Sequence, residues 1–419
     1  MNFAGEITDP IHGYIQISKA EKEIIDLPVF QRLRRIRQLA GAHLVYPSAQ
    51  HSRFEHSLGA MHIAGTAGSV LLRKGYISNQ ESVEELRLAA LLHDIGHGPF
   101  SHLFEEVLEL RGKTTHEEIG RRLILETEIS ETLKKHSHSP ERISSLSFGR
   151  QQVGFKHEVI SGALSADIMD YLPRDGLFTG AEYAKIDYHR LVSSLEVHSG
   201  RLAISRSALN SLESMLISRY EMFKAVYFHK TVRSAEVMLL ESMIAADKEL
   251  GLSNESLENH VRLTDEATLE RLCAAADEKA SSLAKDYRDR RLLKAVYEKI
   301  IVKRDRRVKV DRKSLRSLSI EIARDARVDP DTIFVDASRT PSMPLTPSKE
   351  ELRSIIVVEG DVAREKPLSE IPLVDSISGF LDMLRVYAKG KNRNAVERSV
   401  KKVLGELEHG DEWGKPHGQ

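Results

Sequence analysis

Cysteine is nearly missing from this chain of 419 residues: Cys273 is the single one, so no disulfide can form within it. A lone thiol fits a reducing compartment, and the cytoplasm is the expected location. Aromatic residues are sparse, and no apolar run approaches the ~20 residues that a membrane span requires. The first residues, MNFAGEITDPIHG, lack the basic stretch followed by an apolar one that marks a secretory signal. Neither charge is in excess, since a net charge of −1 gives no global attraction for nucleic acid. The length calls for two or three domains.

Histidine, by contrast, is abundant, with eighteen residues, many of them before residue 120. Basic residues cluster in KRDRRVKVDRK (303–313) and KGKNRNAVERSVKK (389–402). Such runs are ordinarily solvated faces, and the alternative is a surface for nucleotide phosphates or RNA.

Apolar periodicity predicts a mainly α fold. A helix is expected from Ser52 to about Leu72, opened by a capping box of Ser52 and Glu55. Glu84 to Ile95 is apolar on nearly all sides and reads as a buried helix ended by Gly96 and Gly98. Pro99 suits the first turn of the next helix, PFSHLFEEVLEL. His157 to Leu172 reads as one helix stopped by Pro173. Ser211 to Leu250 should form two or more helices. Glu182 to Ser205 alternates around a Ser-Gly turn, as a β-hairpin would. Beyond residue 250 the pattern is mixed. VDASRTPSMPLTPSKEE, with Pro341, Pro344 and Pro347, reads as a loop, and Ile333–Val335 and Ile355–Val358 read as short strands. The expected organisation is a helical domain over 1–250, with its core at about 50–180. A smaller α+β region over 251–419 is a candidate for oligomerisation or regulation.

LLHDIGHGPFSH (91–102) is the chemical centre. An ionised carboxylate beside an imidazole at the end of a buried helix needs a partner, and a divalent cation is one. By itself the pair His93–Asp94 reads first as a helix C-cap near the dipole's negative end. In HSRFEHSLG, His56 shares a helical face with Arg53, which joins a ligand type to a phosphate-binding cation. In GALSADIMDYLPRD, Asp167 and Asp170 both lie among apolar neighbours, and spacing does not choose between them.

The order H…HD…D, with RFEHSLG before, LLHDIGHGPFSH in the middle and DYLPRD after, resembles the HD-domain phosphohydrolases. More closely it is similar to the deoxynucleoside triphosphate triphosphohydrolase (dNTPase) branch. The likeness begins at DPIHG (9–13), runs through LPVFQRLRRIRQLAGAHLVYP and includes YEMFKAVYFHK (220–230) and RVYAK (385–389). It implies that His56, His93, Asp94 and Asp167 hold a divalent ion, with Mn, Mg, Fe and Zn all open. It implies phosphate handling and proton transfer by His97, His102 and His116, with Glu105 where relatives carry Asp. Arg53 matches a phosphate or sugar contact. Gln38, Leu39, Tyr171 and Asp175 match residues around the deoxyribose, where a tight fit excludes a 2′-hydroxyl. His102 backed by Glu105 is the expected proton donor to the departing 5′ oxygen.

The implied reaction converts a dNTP, dGTP included, to a deoxynucleoside and inorganic triphosphate. The resemblance also implies a homo-oligomer, a dimer or a nucleotide-activated tetramer. Asp26, Gln31, Arg34 and Lys389 match candidate effector positions. Gly5 replaces the Lys that relatives carry four residues before the Asp of DPIHG, so that site lacks one cation. Other readings keep the metal but make the chain a nucleotide phosphatase, phosphodiesterase or nuclease. A third class is a nucleic-acid-binding or scaffold protein that uses the two basic runs.

Overall fold

A computed structural model describes residues 2–111, 114–149, 154–253, 256–301, 311–338, 354–360, 362–367 and 382–405. The fold is mainly helical, with smaller sheets concentrated in the C-terminal part, as the periodicity predicts. A two-stranded antiparallel hairpin, Phe3–Asp9 with Gly13–Ser18, precedes the helices.

The helix Arg53–Arg73 opens on the expected box, in which the Glu55 carboxylate accepts the Ser52 amide at 2.8 Å. It packs along Gln80–Leu92, whose Leu86, Leu88, Ala89, Ala90, Leu91 and Leu92 are fully buried. That helix stops at Leu92, with His93 as its C-cap. This frees His93 and Asp94 from a regular helical spacing.

Three expectations are corrected. Pro99 does not open a helix. Phe100 and Ser101 take left-handed backbones (φ 59° and 57°), and the helix begins at His102. Residues other than glycine adopt this conformation only when their surroundings fix it. Here Phe100 donates its amide to Asp265 Oδ1 at 2.8 Å, and Ser101 Oγ donates to the Arg37 carbonyl at 2.8 Å. Second, His157–Leu172 is two helices, Phe155–Ile160 and Ala166–Thr179, the latter capped by Ser165. Pro173 lies inside the second helix rather than ending it. An interior proline costs roughly 3 kcal/mol, and the buried anchors Asp170, Arg174 and Asp175 around it hold the helix in place. Third, only Leu195–His198 and Arg201–Ser205 form the expected hairpin, turning at Ser199 and Gly200, both at positive φ. Residues 188–193 before it are helical.

Ser211–Leu250 is divided as expected, into Leu209–Met222, a π-helical turn at Phe223–Tyr227, and Lys230–Leu250. In the C-terminal part, Lys294–Ile301, Asp382–Ala388 and Ile333–Ser338 form an antiparallel sheet in that order. Its own small core includes Ile322, Val386 and Val396. Ser354–Glu359 runs parallel to Arg201–Ser205, so a C-terminal segment extends the hairpin of the helical part. Pro341, Pro344 and Pro347 and most of the basic run 303–313 lie outside the described residues. The run 389–402 forms a 3-10 turn and the start of the helix Arg393–Leu404.

Candidate metal and phosphate site

His56, His93 and Asp94 each offer one ligand atom, and these atoms lie within 4.8 Å of one another. Asp167 Oδ1 joins them, 3.2 Å from His56 Nε2 and 3.8 Å from His93 Nε2. The rings are aimed by their other nitrogens. His93 Nδ1 donates to the Ala90 carbonyl at 2.6 Å, and His56 Nδ1 donates to Asp170 Oδ2 at 2.8 Å. Both Nε2 atoms therefore turn toward the carboxylates, and both are buried without a hydrogen-bond partner. A buried polar atom without a partner is costly unless something else binds there. Two imidazoles oriented from behind by an acceptor, with two carboxylates in front, form a donor set suited to a divalent cation.

The electrostatics agree. Burial opposes charge on His56, yet the facing carboxylates of Asp167, Asp170 and Asp94 outweigh it and lift its pKa to about 10. A pocket that stabilises a proton this strongly also stabilises a cation. For Asp94, burial alone would raise the pKa, but Arg53, His93 and His97 hold it well below the usual carboxylate range.

Around this centre lie groups with unused donors or acceptors. Arg53 is buried. Its Nε donates to Ser101 Oγ at 2.8 Å and its Nη1 pairs with Asp94, while its Nη2 has no partner. His97 Nε2 stands 3.3 Å from Asp94 Oδ1, and its Nδ1 is unpartnered. Burial, with Arg53 and His116 nearby, pushes His97 well below the usual histidine range, which keeps it neutral. It stacks on His116 at 4.1 Å between ring centres. Glu105 accepts from His116 Nδ1 at 2.5 Å, and its other oxygen faces His102 Nδ1 at 3.5 Å. His102 itself is open, with its side chain 75% exposed. Glu105 thus backs His116 more closely than His102. Burial would raise its pKa, and the two histidines more than reverse that.

The expected sugar-side residues are also nearby. Tyr171 lies 6.4 Å from the His56 ring, measured between centres. Asp175 accepts from His51 Nε2 at 2.7 Å and from the Tyr227 hydroxyl at 2.6 Å. Gln38 Oε1 is buried and unpaired, and Leu39 packs with Val232 and Ala42. Sequence reading passes over three members of this wall: His51, Tyr227 and Arg219. The Arg219 guanidinium sits 5.6 Å from the centre of the Tyr171 ring, with Nε buried and unpaired. Its place directly before YEMFKAVYFHK, a stretch that carries the family resemblance, was the available signal.

The candidate effector residues have these contacts. Asp26 pairs with Lys22 at 2.6 Å, and Arg34 Nε donates to Gln31 Oε1 at 2.8 Å. Lys389 Nζ instead lies 3.4 Å from Ser282 Oγ and 3.6 Å from Asp286. Gly5 is exposed on the first strand.

Comparison with known proteins gives the family. Residues 53–175 match the HD domain, and residues 186–412 match the HD associated region. The chain belongs to the HD-domain phosphohydrolases that carry this associated region. Within them it is homologous to the deoxynucleoside triphosphate triphosphohydrolase SAMHD1 of Homo sapiens, 28% identical over 372 residues (76% of this chain, 58% of that protein). The Dictyostelium discoideum homologue is 31% identical over 317 residues (72% and 61%). An uncharacterised Bacillus subtilis protein, YwfO, is 40% identical over 238 residues (55% and 53%). The chain therefore spans little more than half the length of the curated relatives it matches. A hypothetical protein from Aquifex aeolicus superposes with a TM-score of 0.76 at 30% identity, covering 95% of this chain and all of that one. Among the described residues no helix is long and apolar enough to cross a membrane.

Proposed function

We propose that this chain is a metal-dependent dNTP triphosphohydrolase that releases a deoxynucleoside and inorganic triphosphate. The observation that carries the reading is that the four residues facing one carboxylate, Asp94, each keep a buried, unpartnered polar atom: His56 Nε2, His93 Nε2, Arg53 Nη2 and His97 Nδ1. Folded proteins rarely leave so many such groups together unless a polar, charged ligand completes them. The homology to dNTPases favours a nucleoside triphosphate as that ligand.

A divalent ion held by His56, His93, Asp94 and Asp167 would withdraw charge from an α-phosphoryl oxygen and make a nearby water more acidic. The chain's own residues do the rest. Arg53, already tied to Asp94, offers its free Nη2 to the phosphates, and Arg219, beside Tyr171, offers its Nε. Neutral His97, stacked on His116, can donate a hydrogen bond to phosphate without bringing charge of its own. His102, at the open mouth and facing Glu105, delivers a proton to the 5′ oxygen as it departs. Tyr171, Gln38 and Leu39 shape the sugar pocket, and Asp175 is fixed for sugar recognition by His51 and Tyr227. The assembly proposed with this activity is a symmetric homo-oligomer, with Asp26, Gln31, Arg34 and Lys389 facing a nucleotide effector. Native mass with and without added nucleotide tests that part.

The activity itself is tested by incubating the protein with each dNTP and Mn²⁺ or Mg²⁺ and separating the products. Deoxynucleoside plus triphosphate, abolished by chelation, is the expected outcome. A dNMP with pyrophosphate, or no turnover of any dNTP, would refute the reading.

A further inference from the structure

We infer that His12, in the DPIHG turn of the N-terminal hairpin, is a positioning residue for the site: acting through Asp170, it fixes the direction in which His56 presents Nε2. The inference rests on the metal reading above but not on the identity of the substrate.

Asp170 is fully buried and accepts a hydrogen bond from the back of His56. Both of its oxygens are fully engaged. Oδ2 accepts from His56 Nδ1 at 2.8 Å and from Arg174 Nε at 2.9 Å. Oδ1 accepts from Arg174 Nη2 at 2.8 Å and from His12 Nε2 at 2.6 Å. Since a carboxylate only accepts, the His12 nitrogen facing it carries the proton. The other His12 nitrogen lies 3.2 Å from the Tyr188 hydroxyl, which fixes the ring from behind.

The turn that carries His12 is built around the same anchor. Asp9 Oδ1 accepts the amides of Ile11 and His12, both at 2.9 Å, and Asp9 Oδ2 accepts from Arg174 Nη1 at 2.9 Å. Arg174 therefore bridges the turn to Asp170, and His12 closes the loop. Without His12, Asp170 could rotate about its Arg174 pair and carry the His56 acceptor with it.

A second observation comes from the helix that carries His56. A Cβ at Gly59, three residues on, would lie 1.7 Å from Asp170 Oδ1, 2.5 Å from Asp170 Cγ and 2.6 Å from Arg174 Nη2. Glycine inside a helix costs about 1 kcal/mol relative to alanine. Here it admits the carboxylate against the helix backbone. Gly59, Asp9 and His12 thus serve one end, the placement of Asp170 behind His56. Acceptors behind a ligating imidazole set its orientation and basicity, and their loss typically weakens metal binding about 10–100-fold.

The test is Mn²⁺ titration calorimetry on metal-stripped protein without nucleotide, comparing wild type, His12→Ala and His12→Gln. Glutamine keeps an N–H donor near the place of Nε2 and alanine removes it. The expected result is Mn²⁺ binding weakened about tenfold or more in His12→Ala and held within about threefold in His12→Gln. Circular dichroism establishes that each variant is folded, and His12→Met, which fills the space without a donor, replaces alanine if that variant does not fold. A folded variant lacking the donor that binds Mn²⁺ like wild type overturns the inference. So does loss of the fold in both alanine and methionine variants, which would assign His12 to stability alone. A wild type that binds no divalent ion fails the metal reading itself. A wild type that binds Mn²⁺ and hydrolyses no dNTP fails only the proposed reaction.

Discussion

Gly59→Ala is the sharpest mechanical test of the site. In an exposed helix this change stabilises by about 1 kcal/mol through helix propensity. At Gly59 the new Cβ would sit 1.7 Å from Asp170 Oδ1, where a carbon and an oxygen in contact need more than 3 Å, as ~3.5–4.0 Å for carbon pairs indicates. The carboxylate must withdraw by more than an ångström, because the clashing atom belongs to a short side chain clamped on both oxygens. Overpacking of this kind costs about 1–3 kcal/mol. Displacing Asp170 also loosens its buried pairing with Arg174, and breaking such a pair outright costs about 3–5 kcal/mol. With part of the pairing kept and the propensity gain subtracted, the net loss is roughly 2–5 kcal/mol. Urea unfolding followed by circular dichroism reads the stability, and Mn²⁺ titration reads the consequence for His56. A Gly59→Ala protein as stable as wild type, with unchanged Mn²⁺ affinity, would refute the account of how Asp170 is held.

Other perturbations follow from the same structure. Arg53→Lys keeps the charge but loses the fork that meets Ser101 and Asp94 at once. Its kcat/KM on a dNTP should fall about tenfold or more, and a lysine variant with wild-type kinetics would contradict the assigned contact. Burial, with Arg32 nearby, lowers the pKa of His260 to about 3. An unfolded histidine takes up its proton near pH 6.5, so this group's contribution to stability is present above that pH and is lost as pH falls toward about 3. His260→Leu should therefore show a flatter fall of stability with acid over this window in urea unfolding, and parallel curves would count against it. Pro173→Ala restores an amide inside a helix and should stabilise by about 1–3 kcal/mol in the same assay, whereas a loss would show that the proline's shape is needed there.

Much of this protein is legible one residue at a time. Leu and Ala on nearly all sides of Glu84–Ile95 required a buried helix, and one runs there as Gln80–Leu92, three residues short of the expected end, because apolar periodicity reports directly on which faces leave water. Ser52 with Glu55 set a helix start through contacts three residues apart. The residue types of a metal site, imidazole and carboxylate among apolar neighbours, were visible for the same reason: an ionised group in such a place needs a partner. The resemblance in HD, RFEHSLG and DYLPRD carried the family as far as sequence can.

What depended on long-range packing was decided only in three dimensions. Asp167 and Asp170 have nearly the same local surroundings, and they differ because Arg174, His12 and Gly59 draw Asp170 behind His56 while Asp167 faces the imidazoles. Pro173 reads locally as a helix stop, yet flanking buried side chains carry the helix past it. Pro99 reads locally as a helix start, yet Asp265, 165 residues from Phe100 in sequence, holds a left-handed turn there instead. The family resemblance set Glu105 beside His102, and tertiary contact gives its closer bond to His116. Local sequence specifies which groups need partners, because desolvation is a property of each residue. Only the fold specifies which partner each one receives, because that depends on atoms brought together from distant parts of the chain.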